Sequence, residues 1–467
     1  MKVLFISSEL SPFIKVGGLA DVAGSLPKSL KKLGADVSVV IPFYECLQYK
    51  KKIKSTKKTL SVNFKGKKEF FSLFKTYIPK SKVPVFLIKN KKYFGGNSVY
   101  PEEDASSGGS MAEAERFLFF SVASLKVAKL LKPEIVHCQD WHVSIVPYLI
   151  KKDFKTLLTI HNLGYQGIYN KNTVNNLLGT NFKTKEINCL KLGISKADYL
   201  NTVSKNYAKE ILTKEYGFGL EKELKERKKE LYGIINGLDE NIFNPSKDKY
   251  IKAKYSLSSL AKKQRNKKYL QKKFFKKTDI NTPLIGMVSR IADQKGFNLL
   301  EIILPLLIKC NLNLIILGKG SKNYEKLLKE KSNQHPDKLG VKIGFDEKLA
   351  HQIYAGSDMF LMPSFFEPCG LGQLIAMKYG TIPIVRSTGG LKDTVTPIKI
   401  EGKKISGTGF LFKDYKGESF WRAILRSLVL FKEKSIWKKI QRNGMKQDFS
   451  WRRSAKEYLK LYRKMLK

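Results

Sequence analysis

Short apolar runs bounded by Gly, Pro or Asp, each followed by an amphipathic helical pattern, recur in both halves of this chain. A run that is apolar on both faces must be covered on both, which calls for a parallel sheet between two helix layers. In the first half the runs fall at Lys2–Ile6, Val37–Ile41, Val85–Ile88, Ile135–Cys138, Lys155–Ile160 and Tyr199–Thr202. In the second half they fall at Leu284–Val288, Asn313–Leu317, Lys342–Gly344, Met359–Met362 and Ile382–Val385. With 467 residues the chain exceeds what one hydrophobic core supports. The pattern therefore predicts an α/β protein of two doubly wound domains facing a central cleft, with ligands outside the carboxyl ends of the strands. Lysine-rich Ser246 to Thr282, punctuated by Pro245 and Pro283, reads as a hinge, and Asn97 to Ser110 reads as a mobile loop.

The net charge of +46 raises a nucleic-acid hypothesis, but of the 87 basic residues 76 are lysine and 11 arginine. Nucleic-acid readers lean on the bidentate fork of arginine. The lysines are spread along the chain, in clusters such as Lys50-Lys51-Lys52, Lys57-Lys58 and Lys262-Lys263, which reads as solvated surface with no nucleic-acid partner. Five scattered cysteines, Cys46, Cys138, Cys189, Cys310 and Cys369, form no C-x-x-C pair. That argues against a disulfide framework and a zinc site and fits a cytoplasmic protein. The apolar start ends at Ser7, too early for a signal peptide, and Leu299 to Ile308 is broken by Glu301 and Pro305, so no membrane span is expected.

The first strand empties into Ser7-Ser8-Glu9 and then Lys15-Val16-Gly17-Gly18-Leu19-Ala20-Asp21-Val22. Adjacent glycines can take positive φ and turn their N–H groups to a phosphate, Lys15 adds a charge, and the helix that follows aims its positive end at the same spot. A tight turn is the plainer alternative. After the strand at Ile135 comes His137-Cys138-Gln139-Asp140-Trp141-His142, and after that at Lys155 comes His161-Asn162-Leu163-Gly164-Tyr165-Gln166-Gly167. Hydrogen bonders beside flat aromatic faces suit a sugar. His137 reads as packing and His161 as functional.

The second half offers Ser289-Arg290-Ile291-Ala292-Asp293-Gln294-Lys295-Gly296, where Arg290 and Lys295 can neutralise a departing diphosphate. Pro363-Ser364-Phe365-Phe366-Glu367-Pro368-Cys369-Gly370-Leu371-Gly372-Gln373 places a carboxylate between aromatics and a proline turn. Thr388-Gly389-Gly390-Leu391-Lys392-Asp393 supplies a second Gly-Gly loop, a further candidate for nucleotide contact. No D-x-D pair, H-E-x-x-H helix or G-x-S-x-G elbow occurs, so no metal and no cofactor are expected, and the positive charge must come from lysine, arginine and helix ends.

Together these motifs resemble the bacterial glycogen synthase and plant starch synthase family, retaining glycosyltransferases with two Rossmann-like domains of GT-B type. The resemblance runs end to end, through Lys15 to Val22, Asp140-Trp141-His142, Thr159 to Gly167, Thr202-Val203-Ser204, Ile235-Asn236-Gly237-Leu238-Asp239, Ser289 to Gly296, Pro363 to Gln373, Thr388 to Val395 and Asp448-Phe449-Ser450-Trp451. It implies an N-terminal domain over 1–242 carrying the glycine loop and acceptor side, a C-terminal nucleotide-sugar domain over 243–447, and a helix over 448–467 that crosses back to the first.

The resemblance implies transfer of glucose from ADP-glucose to the 4-hydroxyl at the non-reducing end of an α-1,4-glucan, with retention. By matching position Lys15, Gly18, Arg290 and Lys295 would hold the diphosphate, and Asp21 and Asn236 would order the donor site. His161 and Glu367 would lie against the glucose, Glu367 as the essential acidic residue. Cys369, Gly370, Leu371, Thr388, Gly389 and Gly390 would line the donor site, and Asp140, Trp141, Tyr165 and Gln166 the acceptor side. Cleft closure would bring Lys15 and Arg290 together. Departures from the family pattern are Gln139 in place of the usual His, Gly372 in place of Thr, Lys319-Gly320-Ser321-Lys322 without the common Gly-Asp pair, and Ile375 where related transferases carry a second glutamate. No N-terminal extension for plastid import or starch binding is expected. The competing readings are the same chemistry with UDP-glucose, and a glucan- or polyanion-binding protein without turnover.

Overall fold

Val3, Leu4, Phe5 and Ile6 are fully buried, as a central strand covered on both faces must be. In the computed structural model, which describes residues 1–101, 110–150 and 153–467, they form the middle of a nine-stranded sheet. Its strands are β1 (Lys2–Ile6), β2 (Asp36–Pro42), β3 (Lys54–Phe64), β4 (Lys67–Tyr77), β5 (Pro84–Lys89), β6 (Ile135–Gln139), β7 (Lys155–Ile160), β10 (Tyr199–Thr202) and β11 (Leu231–Gly233). The short strands β8 (Ile168–Asn170) and β9 (Glu186–Asn188) pair separately. The order is β11-β10-β7-β6-β1-β2-β5-β4-β3. From β1 the chain winds outward through β2 on one side and through β6 on the other, so the switch point lies between β1 and β6.

Six parallel strands form the second sheet: β12 (Leu284–Val288), β13 (Asn313–Gly318), β14 (Leu339–Ile343), β15 (Met359–Met362), β16 (Ile382–Arg386) and, beyond the β17 (Lys399–Glu401) and β18 (Lys404–Ser406) hairpin, β19 (Phe410–Phe412). The order β14-β13-β12-β15-β16-β19 puts its switch point between β12 and β15. Contacts divide the chain into one unit of Met1–Gly237 with Trp451–Lys467, and a second of Leu238–Ser450.

The last helix, Trp451–Met465, belongs to the first unit because its stripe of Trp451, Ala455, Tyr458, Leu459 and Tyr462 is buried in that unit's core. Tyr462 hydrogen-bonds His137 Nδ1 (2.8 Å) and Tyr458 hydrogen-bonds the Asn201 side chain (2.8 Å). A Cβ at Gly237 would lie 2.5 Å from Trp451 Cα, so only glycine fits where the helix begins. His137, with its Nε2 on Thr159 Oγ1 (2.6 Å), is the packed histidine the sequence predicts.

Three expectations need correction. The β3–β4 hairpin was not foreseen, because its lysines read as surface charge; Lys65 and Gly66, both at positive φ, make its two-residue turn. The strand expected at Lys342–Gly344 runs over Leu339–Ile343, since Leu339 pairs with Leu314 and Gly344, at φ +128°, lies beyond it. Ser246 to Thr282 is no hinge: Ile251, Tyr255, Leu260, Leu270 and Phe275 are buried in a core of the second unit. Of the loop expected at Asn97 to Ser110, residues 102–109 lie outside the described residues. Among the described residues no helix is long and apolar enough to cross a membrane.

Candidate active site

The loops that follow β1, β6 and β7 in the first unit, and β12, β15 and β16 in the second, carry most of the chemistry-bearing residues, at or beside the switch point where open parallel sheets bind their ligands, while Asn236 follows the edge strand β11. In the first unit the loop after β1 is held by a residue the sequence did not single out. Glu9, 2% exposed, accepts the N–H groups of Val16 (2.7 Å) and Gly17 (2.9 Å) on Oε2 and the Tyr100 hydroxyl (2.7 Å) on Oε1. The Gly17 N–H is therefore not turned to a phosphate, and its φ of −133° is extended rather than positive. The signal available was position: a carboxylate directly after a strand that borders the switch point. A Cβ at Gly17 or Gly18 would meet nothing within 4 Å, so the space above the loop is open. Gly18 opens the helix Gly18–Lys32, whose first N–H groups have no intrahelical acceptor. Lys15 Nζ pairs with Asp21 Oδ1 (2.8 Å) one turn into that helix.

Across the switch point, Asp140 follows β6 with φ +64° and ψ −176°, a conformation otherwise reserved for glycine. Its carboxyl is buried, and Oδ1 has no hydrogen-bond partner. Burial pushes it up to about 7, against the opposing pull of the Trp141, His161 and Asn162 N–H groups. His161 follows β7, half-buried, and donates from Nε2 to Gln139 Oε1 (2.9 Å); desolvation holds its imidazole down to about 4, so it is neutral at pH 7. The other residues expected here divide. Asn236 is buried with an unpartnered Oδ1, and Tyr165 is 53% exposed. Trp141 instead packs edge-on against Phe117 (5.2 Å) and beside Gly167, where a Cβ would lie 2.7 Å from its ring. Gln166 braces the loop through Leu163 O and Phe218 O.

In the second unit Lys295, after β12, reaches Glu367, after β15, with Nζ 2.7 Å from Oε2 and 3.0 Å from Oε1. Ser364 Oγ donates to the same Oε2 (2.9 Å). Gln294 ties the two loops together by donating to Phe366 O (2.8 Å), and its Oε1 accepts from Arg290 Nη2 (3.0 Å), which leaves the guanidinium exposed. Arg386, at the end of β16, donates to Phe365 O and Lys413 O and so fixes the aromatic pair before Glu367. Nothing in the sequence around Arg386 marked it.

The second Gly-Gly loop is closely packed where the first is open. A Cβ at Gly389 would lie 2.0 Å from Glu367 O, and one at Gly390 2.1 Å from Cys369 O. Gly390 N–H also donates to Glu367 O (3.0 Å). These glycines seat the Glu367–Cys369 turn, while Thr388 is buried at the helix start and Gly370, at φ +72°, turns the chain into Leu371. Among the described residues no group of three or more His, Cys, Asp or Glu side chains could hold a metal ion.

Residues 2–226 match the model of the starch synthase catalytic domain, and residues 270–443 that of the group 1 glycosyl transferases. The chain is 42% identical to the glycogen synthase of Thermosipho africanus over all of this chain and 99% of that one. It is also 42% identical to the glycogen synthase of Geotalea daltonii, with the same coverage. Among solved structures, the catalytic domain of starch synthase IV from Arabidopsis thaliana bound to ADP and acarbose superposes with a TM-score of 0.89 at 30% identity, over 100% of this chain and 99% of that one. Sucrose-phosphate synthase from Thermosynechococcus elongatus, at 16% identity and a TM-score of 0.63 over 99% and 98%, shares the fold. With two doubly wound sheets whose switch points carry these residues, and with similarity along its whole length, the chain belongs to the glycogen synthase and starch synthase family of GT-B glycosyltransferases.

Proposed function

We infer that this chain transfers glucose from ADP-glucose to the 4-hydroxyl at the non-reducing end of an α-1,4-glucan, with retention at the anomeric carbon. The observation that carries the reading is the Lys295–Glu367 pair at the second switch point, in a chain that matches a structure holding ADP and acarbose over its full length. Arg290 and Lys295 are assigned to the donor diphosphate, Glu367 to the glucose, and Cys369, Gly370, Leu371, Thr388, Gly389 and Gly390 to the walls of the nucleotide-sugar site. In the first unit Lys15 and Gly18 are assigned to phosphate oxygens, Asp21 and Asn236 to ordering them, His161 to the sugar, and Asp140, Trp141, Tyr165 and Gln166 to the acceptor side.

The chemistry asks for positive charge where the leaving ADP gains negative charge. Lysine, arginine and helix ends supply it, so the reaction is assigned no metal and no cofactor, and EDTA is expected to leave the rate unchanged. A neutral His161 can donate or accept a hydrogen bond to a sugar hydroxyl without adding charge. We place the protein in the cytoplasm, where both substrates would be met.

The test is nucleotide release with glycogen and either ADP-glucose or UDP-glucose, for the wild type and Glu367→Ala. Release from ADP-glucose, lost in Glu367→Ala, is the expected result. Preference for UDP-glucose would overturn the donor, and no turnover of either, or full activity in the variant, would overturn the catalytic reading.

A further inference from the structure

The amino ends of the second sheet carry a pocket of about 310 Å³, lined in part by Asn281 ahead of β12 and Asp358 ahead of β15. Arg290, Lys295 and Glu367 follow the carboxyl ends of the same strands, so the pocket lies at the opposite edge of the sheet from them. Two helices each offer it a lysine pair spaced i, i+4, the spacing that puts two side chains on one face. Lys263 and Lys267 come from the helix Lys263–Phe275, and Lys434 and Lys438 from the helix Lys434–Met445.

These lysines differ from the solvated ones elsewhere on the chain. Lys263 and Lys267 are 5% and 2% exposed and fixed in place. The Lys263 ammonium donates to Ala355 O (2.8 Å) and Thr381 Oγ1 (2.7 Å), and that of Lys267 to Ile280 O (2.7 Å) and Asp358 (2.6 Å). Lys267 and Lys434 both lie over the Phe431 ring, at 4.9 and 3.7 Å from its centroid. Asp358 is the single carboxylate in the lining among the described residues, against four lysines. Lys434 also opens a helix whose N-terminus has no side-chain cap, which adds the positive end of the helix dipole. Burial pushes the Lys263 ammonium down to about 7, and burial together with Lys267 holds Lys434 below its usual range. Desolvation is the largest cause at both lysines, and the Asp358 carboxylate opposes it.

We propose that this pocket binds a small phosphate-bearing anion, a phosphate monoester or a diphosphate with a short organic group. Its volume is at the lower end of the roughly 300–1,000 Å³ of small-molecule sites. Lys434 and Lys438 are exposed and supply the contacts, while Lys267, held by Asp358 and Ile280 O, is fixed beneath them.

Isothermal titration of the full chain with inorganic phosphate and with pyrophosphate, at constant ionic strength, tests the assignment. Saturable binding is expected, with Kd raised about tenfold or more in Lys434→Gln/Lys438→Gln, as the loss of two charge-assisted contacts requires. The single Lys438→Gln serves as a second variant should the double one melt early. Lys50→Gln/Lys51→Gln, on exposed lysines of the first unit, is expected to keep the wild-type Kd, and Arg290→Gln, in the candidate active site, to keep the binding event that Lys434→Gln/Lys438→Gln weakens. Absence of saturable binding, or equal weakening in Lys50→Gln/Lys51→Gln, would reduce the effect to diffuse attraction and overturn the site. Binding lost in Arg290→Gln but kept in the pocket variants would move the anion to the candidate active site, with the same consequence.

Discussion

Lys295 Nζ lies 2.7 Å from Glu367 Oε2 across the point where the second sheet reverses its winding. The carboxylate side chain is 8% exposed and the lysine 19%, so each charge depends on the other to offset its desolvation. In the function proposed above, the carboxylate would meet the sugar and the lysine the phosphate.

Breaking this pair is expected to cost both stability and turnover. Glu367→Gln keeps the shape but leaves the Lys295 charge uncompensated, with an expected loss of about 1–3 kcal/mol in urea unfolding and of about a hundredfold or more in kcat. Lys295→Met in the same background should recover part of the stability and none of the rate. A double-mutant cycle that returns less than about 0.3 kcal/mol of coupling would show that the two residues act independently.

Asp140 should make stability depend on pH in a defined direction. Its carboxyl titrates near 7 in the folded chain against an ordinary 3.8, so the unfolded chain loses this proton at lower pH than the folded one does. The group's contribution is therefore full below about pH 4 and is lost as the pH rises through about 7. Asp140→Asn, which keeps the shape and tolerates positive φ, is expected to be more stable than the wild type by on the order of 2–4 kcal/mol at pH 8, the difference vanishing near pH 4. Urea unfolding across that range measures it, and a gain of constant size would contradict the assignment.

The two Gly-Gly loops should respond oppositely to a methyl group. Gly18→Ala meets open space at a helical position, so the melting temperature is expected to hold or rise slightly while KM for the nucleotide sugar increases. Gly390→Ala drives a Cβ to 2.1 Å from Cys369 O and must shift the Glu367 turn, with an expected loss of about 2–4 kcal/mol and a fall in kcat. Thermal unfolding and initial rates on both variants separate the open loop from the packed one. Equal destabilisation would refute the distinction.

The same contrast shows what the sequence makes legible. Fully apolar strands such as β1 and β13 announce themselves because both faces are buried, and their order places Lys15, Asp140, Arg290 and Glu367 at strand ends before any coordinates are seen. The β3–β4 hairpin stays hidden because one face is solvated and its lysines, such as Lys68 and Lys75 over Phe70 and Tyr77, read as charge rather than strand. Lys263 and Lys267 mislead for the opposite reason. Their burial depends on carbonyls and a carboxylate about ninety residues away, which no local pattern carries. Nor can a sequence tell a glycine that leaves room for a ligand from one that leaves room for a carbonyl, or reveal that Asp140 occupies a glycine-only conformation.

The final helix should set the stability of the first unit. His137 Nδ1 lies at the bottom of a buried site with Tyr462 as its partner, and the helix Trp451–Met465 fills the core there with Trp451, Tyr458 and Tyr462. Tyr462→Phe removes the hydroxyl and strands the imidazole nitrogen, an expected loss of about 1–3 kcal/mol. Tyr458→Phe should cost a similar amount through the Asn201 amide. Ending the chain at Ser450 uncovers the whole apolar stripe. The first unit is then expected to lose its cooperative transition in calorimetry, while the second, which contains Leu238–Ser450, keeps its own. A truncated chain whose first unit still melts cooperatively near the wild-type temperature would show that the helix merely covers a core stable without it.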